Sequence, residues 1–262
     1  MQYLYGPVAS WRLGRSLGVD ILSTADKTCS FECLYCELGR TVNKTTERKV
    51  FVPTDVIERE LHALAPFVEE TTDVITFAGM GEPALGANLS EVVAAIRRHT
   101  RKPIAILTNA ALITDPEVRN DLKKLDIVVA KLDAPDQAIF DAVNRPVSAE
   151  IKLDEIIAGL TEFRREYRGR LCLQLMFIAE NRASSAALTR IAVEIQADVV
   201  QLNTPLRPCG VAPLSAEEMQ QIEKQFDQLK AGIEVVSVYK KLKPEVRVIN
   251  KGALIRRRGA ED

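Results

Sequence analysis

Apolar runs and amphipathic stretches alternate along this chain. Short runs rich in Val, Ile and Leu begin near Val19, Val74, Ile104, Ile127, Leu171 and Val199. Runs this short and this continuously apolar suit strands buried on both faces. Between them apolar residues recur at helical spacing: Ile57, Leu61 and Leu64, then Val92, Val93 and Ile96. The series continues with Leu153, Ile156, Ile157, Leu160 and Phe163, with Leu188, Ile191, Ala192 and Ile195, and with Met219, Ile222, Phe226 and Leu229. Cap signals precede three of these helices: Thr54, Asn88 with Glu91, and Ser215 with Glu218. Strands alternating with helices imply parallel βα units joined by right-handed crossovers. Six units fall short of the eight of a complete TIM barrel, so a doubly wound sheet and a βα barrel, open or closed, both fit. In either architecture function belongs at the C-terminal ends of the strands. The unusual segments fall there: 29–36, 79–83, Asn109, Asp133 and 203–205. After Leu229 the alternation weakens. Segments 233–238 and 246–249 read as extra strands, and 251–262, with Arg256, Arg257 and Arg258, reads as a frayed basic tail. The expected organisation is a core domain over 1–230 and a C-terminal extension over 231–262.

Composition narrows the field. The chain has 262 residues, 47% hydrophobic and 27% charged, which are values of a globular protein and not of a disordered, collagenous or coiled-coil one. A chain of this length buries roughly 75% of its unfolded surface and needs no disulfide staples. Its 35 basic and 36 acidic residues nearly cancel, which argues against strong non-specific nucleic-acid binding. No apolar run reaches the ~18 residues of a membrane span, and residues 1–15 show no apolar stretch of a secretory signal. The expectation is a cytoplasmic protein without membrane contact.

The cysteines carry the chemistry. Cys29, Cys33 and Cys36 lie close together, while Cys172 and Cys209 stand alone. In a cytoplasmic chain such a cluster reads as a metal or catalytic site, not as a disulfide framework. A structural zinc site needs a fourth ligand, and the two histidines, His62 and His99, fall inside helical stripes. A [4Fe–4S] cluster normally takes four thiolates, so three leave one iron open to a non-protein ligand. Cys172 reads as a small core residue and Cys209 as an ordinary loop thiol. On the residues alone three readings stay open: an iron–sulfur enzyme, an iron–sulfur protein that carries electrons or assists maturation, and a zinc-stabilised binding module.

The spacing C-x3-C-x2-C, with the aromatic Tyr35 before the last cysteine, resembles the radical S-adenosylmethionine superfamily. So does the segment Gly79-Met-Gly81-Glu82-Pro83 at the end of the second predicted strand. The resemblance implies a partial (β/α)6 barrel with a short C-terminal extension. It implies a [4Fe–4S] cluster on Cys29, Cys33 and Cys36, with S-adenosylmethionine chelating the fourth iron through its amino and carboxylate groups. One electron from the cluster then cleaves the sulfonium to methionine and a 5′-deoxyadenosyl radical, which abstracts hydrogen from a substrate. By the same likeness, backbone at Gly79, Gly81 and Pro83 meets the amino group of the cofactor, with Glu82 in or near that contact. Asn109 bonds the cofactor or a turn. Lys131 and Asp133 meet the methionine carboxylate or ribose, or pair with each other. Glu180 and Asn181 face the adenine side, Asn203 meets the adenine, and Tyr35 packs on the adenine or covers the cluster.

Further segments, among them Tyr5 to Asp20, Asn144-Arg145-Pro146 and Asn203-Thr-Pro-Leu-Arg207, resemble a subgroup akin to the wyosine-type tRNA synthases. The chain lacks that group's flavodoxin-like domain and its cysteines upstream of the signature. The implied substrate is a tRNA, with a small metabolite or a protein as alternatives. The implied partner is an external one-electron donor, a flavodoxin or ferredoxin. Arg15, Arg40, Arg145 and Arg207 are candidates to ring an anionic substrate at the barrel mouth, or else to form surface salt bridges.

Overall fold

The computed structural model describes residues 2–227 and 232–258. Leu229 of the last helical stripe, the 230/231 boundary and the tail beyond Arg258 lie outside the described residues. Among those described, the sheet is built from β1 (Leu4–Ser10), β2 (Gly14–Val19), β5 (Val74–Phe77), β6 (Ile104–Thr108), β7 (Ile127–Lys131), β8 (Arg170–Met176), β9 (Val199–Asn203) and β10 (Glu234–Ser237) in that spatial order. β1 and β2 form an antiparallel hairpin, and every pair from β2 to β10 is parallel. Two short strands, β3 (Thr28–Cys29) and β4 (Asn43–Lys44), pair apart from this sheet. The helices are α1 (Thr54–Thr71), α2 (Leu89–His99), α3 (Pro116–Leu122), α4 (Gln137–Val143), α5 (Leu153–Glu166), α6 (Ser185–Ile195), α7 (Ala216–Phe226) and α8 (Lys251–Arg258). The curled sheet makes a partial barrel of six βα units, as expected. No described helix is long and apolar enough to cross a membrane.

Both faces of the strands are buried, which explains the unbroken apolar runs. One set of alternate residues, including Ile75, Phe77, Ile106, Val128, Leu173 and Leu202, joins the helix stripes in the main core. The other set, with Val129, Cys172 and Val199, forms a separate cluster on the inner face.

The structure corrects the sequence reading in four places. The strand expected to begin near Val19 ends there, and the glycine-rich opening before it is a hairpin. The run is interrupted because Gly18 stands opposite Tyr5, and a Cβ at Gly18 would lie 2.2 Å from the Tyr5 ring. Segment 246–249 is not a strand, although Ile249 N–H donates to the Gly6 carbonyl at 2.7 Å. Residues 251–258, expected to fray, form α8, which packs Ala253 and Leu254 on Tyr5 and Val8. A buried Leu stabilises by about 1.5–3 kcal/mol, so this apolar contact is modest. The polar anchor is Arg257, whose Nε donates to Asp20 Oδ2 at 2.7 Å with both side chains 1% exposed.

Capping is the fourth difference. Ser215 and Glu218 form the expected capping box. Asn88, however, donates to the Val52 carbonyl and to Thr54 Oγ1, each at 3.0 Å, and Thr54 Oγ1 donates to Glu91 Oε2 at 3.1 Å. These residues tie the starts of α1 and α2 together instead of capping their own helices.

Candidate metal and cofactor site

After β2 the chain leaves the barrel and returns only at α1, and the cysteines lie on this excursion. Tight turns present them: Cys36 N–H donates to the Cys33 carbonyl at 3.2 Å, and Gly39 N–H to that of Cys36 at 2.9 Å. The loop is clamped to the end of α4. Leu34 N–H donates to the Val143 carbonyl at 3.0 Å, Val147 N–H donates to that of Ser30 at 3.0 Å, and the Phe31 ring meets Phe140 edge-on at 5.3 Å. All three cysteines face one cavity of about 160 Å³ at the strand ends, together with Lys27, Glu82 and Asn109. This cavity shares Tyr35, Cys36, Gly81, Lys131 and Gln174 with a second one of about 310 Å³, which also reaches Gly79 and Asn203.

The two glycines explain the approach of β5 to the cysteine strand. Gly81 has φ +147°, and a Cβ there would sit 1.6 Å from the Thr28 carbonyl oxygen. A Cβ on Gly79, at φ +156°, would sit 2.2 Å from Asp20 Cγ. Only glycine fits such contacts. Asp20 Oδ1 accepts from Met80 N–H at 3.3 Å, so the Arg257–Asp20 pair underlies this segment.

Two buried carboxylates brace the loop from either side. Glu82 accepts from Ala84 N–H at 3.0 Å, Thr108 Oγ1 at 2.7 Å and Asn109 N–H at 2.6 Å. Burial outweighs these donors and pushes its carboxyl up to about 7. Asn109 in turn points Nδ2 at Ser30 Oγ (2.9 Å) and Cys29 Sγ (3.6 Å). Asp133 accepts from the Tyr35 hydroxyl, from Asn144 Nδ2 at 2.8 Å and from Met176 N–H at 2.7 Å, with Lys131 Nζ at 3.7 Å. Asn144 Nδ2 also lies 3.7 Å from Cys33 Sγ, and Lys131 Nζ stands 4.3 Å from the Tyr35 ring centroid.

Lys27 was not singled out from the sequence. It is 4% exposed and its Nζ donates to the Gly39 carbonyl at 3.2 Å. Burial opposes its charge, but Cys36 and Cys29 outweigh that and hold the ammonium above its ordinary value. Burial, with Glu82, pushes the Cys29 thiol up to about 12, and burial also raises Cys33. Ligation therefore has to displace thiol protons.

Tyr35, Gly79, Gly81 and Asn203 line the larger cavity, and Glu82 and Asn109 the smaller one. Pro83 starts a single turn of 3-10 helix and Asp133 is enclosed, and neither lines either cavity. Asn181 is spent on internal bonds to Ile178 N–H and to the Asp133 and Met176 carbonyls. Three of the four candidate arginines form salt bridges, and of these Arg207 also lines the larger cavity. Arg15 lies at the opposite end of β2, paired with Asp73 at 2.7 Å, while Arg40 pairs with Glu32 at 3.4 Å and Arg207 with Glu37.

A partial parallel barrel with a thiol-bearing loop after its first parallel strand defines a class of cluster-dependent barrel enzymes. The chain belongs to the radical SAM superfamily, whose sequence signature matches residues 27–184. It is 41% identical over 208 residues to the UPF0026 protein slr1464 of Synechocystis sp., covering 78% of this chain and 76% of that protein. Its fold matches that of TYW1 with a lysine-pyruvate adduct bound, with TM-score 0.60 at 13% identity, over 82% of this chain and 73% of that one. It likewise matches Streptococcus suis SuiB bound to S-adenosylmethionine, with TM-score 0.63 at 15% identity, over 81% of this chain and 48% of that one. Membership makes this chain an enzyme and implies a [4Fe–4S] cluster and S-adenosylmethionine.

The residues fit that group. Among the described residues no three His, Cys, Asp or Glu side chains gather closely enough to hold a single metal ion. A four-iron cluster instead takes its thiolates at separate corners. The buried Lys27, facing thiols and no carboxylate at ion-pairing distance among the described residues, suits an anionic thiolate cluster.

Proposed function

We propose that Cys29, Cys33 and Cys36 hold three irons of a [4Fe–4S] cluster and that the larger cavity takes S-adenosylmethionine beside it. When bound, the pair supplies reductive cleavage of the sulfonium to methionine and a 5′-deoxyadenosyl radical that removes hydrogen from a substrate. The observation that carries this reading is the meeting of three thiols and a buried ammonium in one cavity at the strand ends. The chain's own residues bind, orient and shield. Lys27 offsets the thiolate charge, and Asn109 and Asn144 direct N–H groups at Cys29 and Cys33. Gly79 and Gly81 bring bare backbone to the cavity wall. Asn203 lines the larger cavity, its Oδ1 accepting from Thr204 N–H at 3.0 Å. Tyr35, held by Asp133, lines both cavities.

The substrate enters the larger cavity, and the tRNA suggested by the wyosine-type resemblance is one candidate. The electron comes from a separate flavodoxin or ferredoxin. The test is anaerobic reconstitution with iron and sulfide, reduction, and addition of S-adenosylmethionine. The expected products are methionine and 5′-deoxyadenosine, lost in Cys33→Ala. Absence of both products from protein with a verified cluster would overturn the reading.

A further inference from the structure

The side chains that line the larger cavity carry a charge imbalance of their own. Arg12, Lys131, Arg207, Lys243 and Arg257 line it, against Glu37 as the one lining acid. Three of these cations are matched: Lys131 by Asp133, Arg207 by Glu37 and Arg257 by Asp20. Arg12 is not. It sits in the hairpin turn between β1 and β2 and lines both this cavity and a second one at the N-terminal ends of the strands, where Asp73 and Glu234 are also part of the wall. Its Nε is buried and meets no acceptor, and no carboxylate pairs with it among the described residues. Its one contact of note is with the ring of Trp11, 5.4 Å from the guanidinium carbon. Burial lowers its pKa to about 10, which still leaves it charged at neutral pH. Arg12 is half-buried, and its shielded Nε is a donor that water does not satisfy and that an anion in the cavity would complete. S-adenosylmethionine brings a sulfonium and an ammonium along with its carboxylate, so it does not supply the missing negative charge.

We infer that Arg12 is the anion-binding residue of a substrate subsite in the barrel lumen, and that the substrate is a small molecule presenting a carboxylate or a phosphate there. The inference rests on the proposed radical chemistry only in calling that anion the substrate. The planar guanidinium suits bidentate recognition of either oxyanion. The shielding of Nε favours a group that enters the lumen over the backbone of a folded nucleic acid, which surface cations would meet.

Trp11 is the sole tryptophan of the chain, so its emission reports on this site. The experiment titrates the full chain with inorganic phosphate and, separately, with acetate at constant ionic strength. A saturable change in emission with one of them is expected and identifies which oxyanion is preferred. Arg12→Met should weaken that response about tenfold or more, with Arg12→Lys between. In thermal unfolding the same anion should raise the wild-type midpoint and leave that of Arg12→Met unmoved. Without anion, Arg12→Met should melt no lower than wild type, because it removes an uncompensated charge. If Arg12→Met fails to fold, Arg12→Lys and the wild-type titration still decide. No saturable response to either anion, or equal responses in wild type and variant, would overturn the inference. So would RNA oligonucleotide binding that depends on Arg12 while neither small anion binds, an outcome that assigns the site to nucleic acid. None of these readouts uses iron or S-adenosylmethionine, so failure here and failure of the cleavage assay are separable.

Discussion

Glu82 and Asp133 stand at the ends of neighbouring parts of the sheet, each 2% exposed, and they brace the same loop from opposite sides. Glu82 reaches Cys29 through Asn109, and Asp133 reaches Cys33 through Asn144 while also holding Tyr35. Their surroundings differ in one respect. Asp133 has Lys131 beside it, whereas Glu82 meets neutral donors alone and is pushed up to about 7. A carboxylate held only by N–H and O–H donors becomes sensitive to pH when buried. One half of the cysteine loop is thus braced by an ion pair and the other by a carboxyl that burial shifts.

The largest effect is expected from Asp133→Ala. It strands the Met176 N–H, Asn144 Nδ2, the Tyr35 hydroxyl and the Lys131 ammonium in the interior. Breaking a buried pair this way costs about 3–5 kcal/mol, measurable by chemical denaturation, and the same variant should lose iron on reconstitution. A stability within about 1 kcal/mol of wild type would break the comparison.

Glu82→Gln sharpens it next. The folded carboxyl titrates near 7 against 4.5 for the free group, so it binds its proton more tightly in the folded state. Its contribution to stability is therefore fully present below about 4.5 and is lost as pH rises towards 7, by up to about 3 kcal/mol. The melting midpoint of wild-type apoprotein should fall relative to Glu82→Gln across that window, and a constant difference would contradict the assignment.

Smaller effects follow. Asn109→Ala removes donors to Ser30 and Cys29 and should cost about 1–2 kcal/mol by denaturation, with weaker iron retention as its signature. Ser215→Ala deletes a helix cap remote from the loop and should cost about 1 kcal/mol, with iron content unchanged.

The pattern of what could be read in advance has a physical reason. The strand ends and the thiols at 29, 33 and 36 were legible because periodicity and short spacing are local properties. The six βα units followed from the same signal. Glu82 and Asp133 stood out in the sequence as acids at strand ends, but not as braces, because their partners come from other strands and loops. The hairpin was hidden because its signal is a cross-strand match of Tyr5 with Gly18. Helix α8 was hidden because its anchor, Arg257, meets Asp20 from the other end of the chain. An arginine run reads as a solvated tail until a buried partner is known. Lys27 and Arg12 escaped notice for the same reason, since a lone cation draws attention only once its surroundings show what is missing.

The central claim is that the braced loop presents three thiolates to one cluster and leaves one iron for S-adenosylmethionine. Electron paramagnetic resonance of the reconstituted, reduced protein, recorded with and without S-adenosylmethionine, tests it most directly. A reduced-cluster signal that changes on addition of S-adenosylmethionine is the predicted result. An unchanged signal, or protein that retains zinc and takes up no iron, would contradict it.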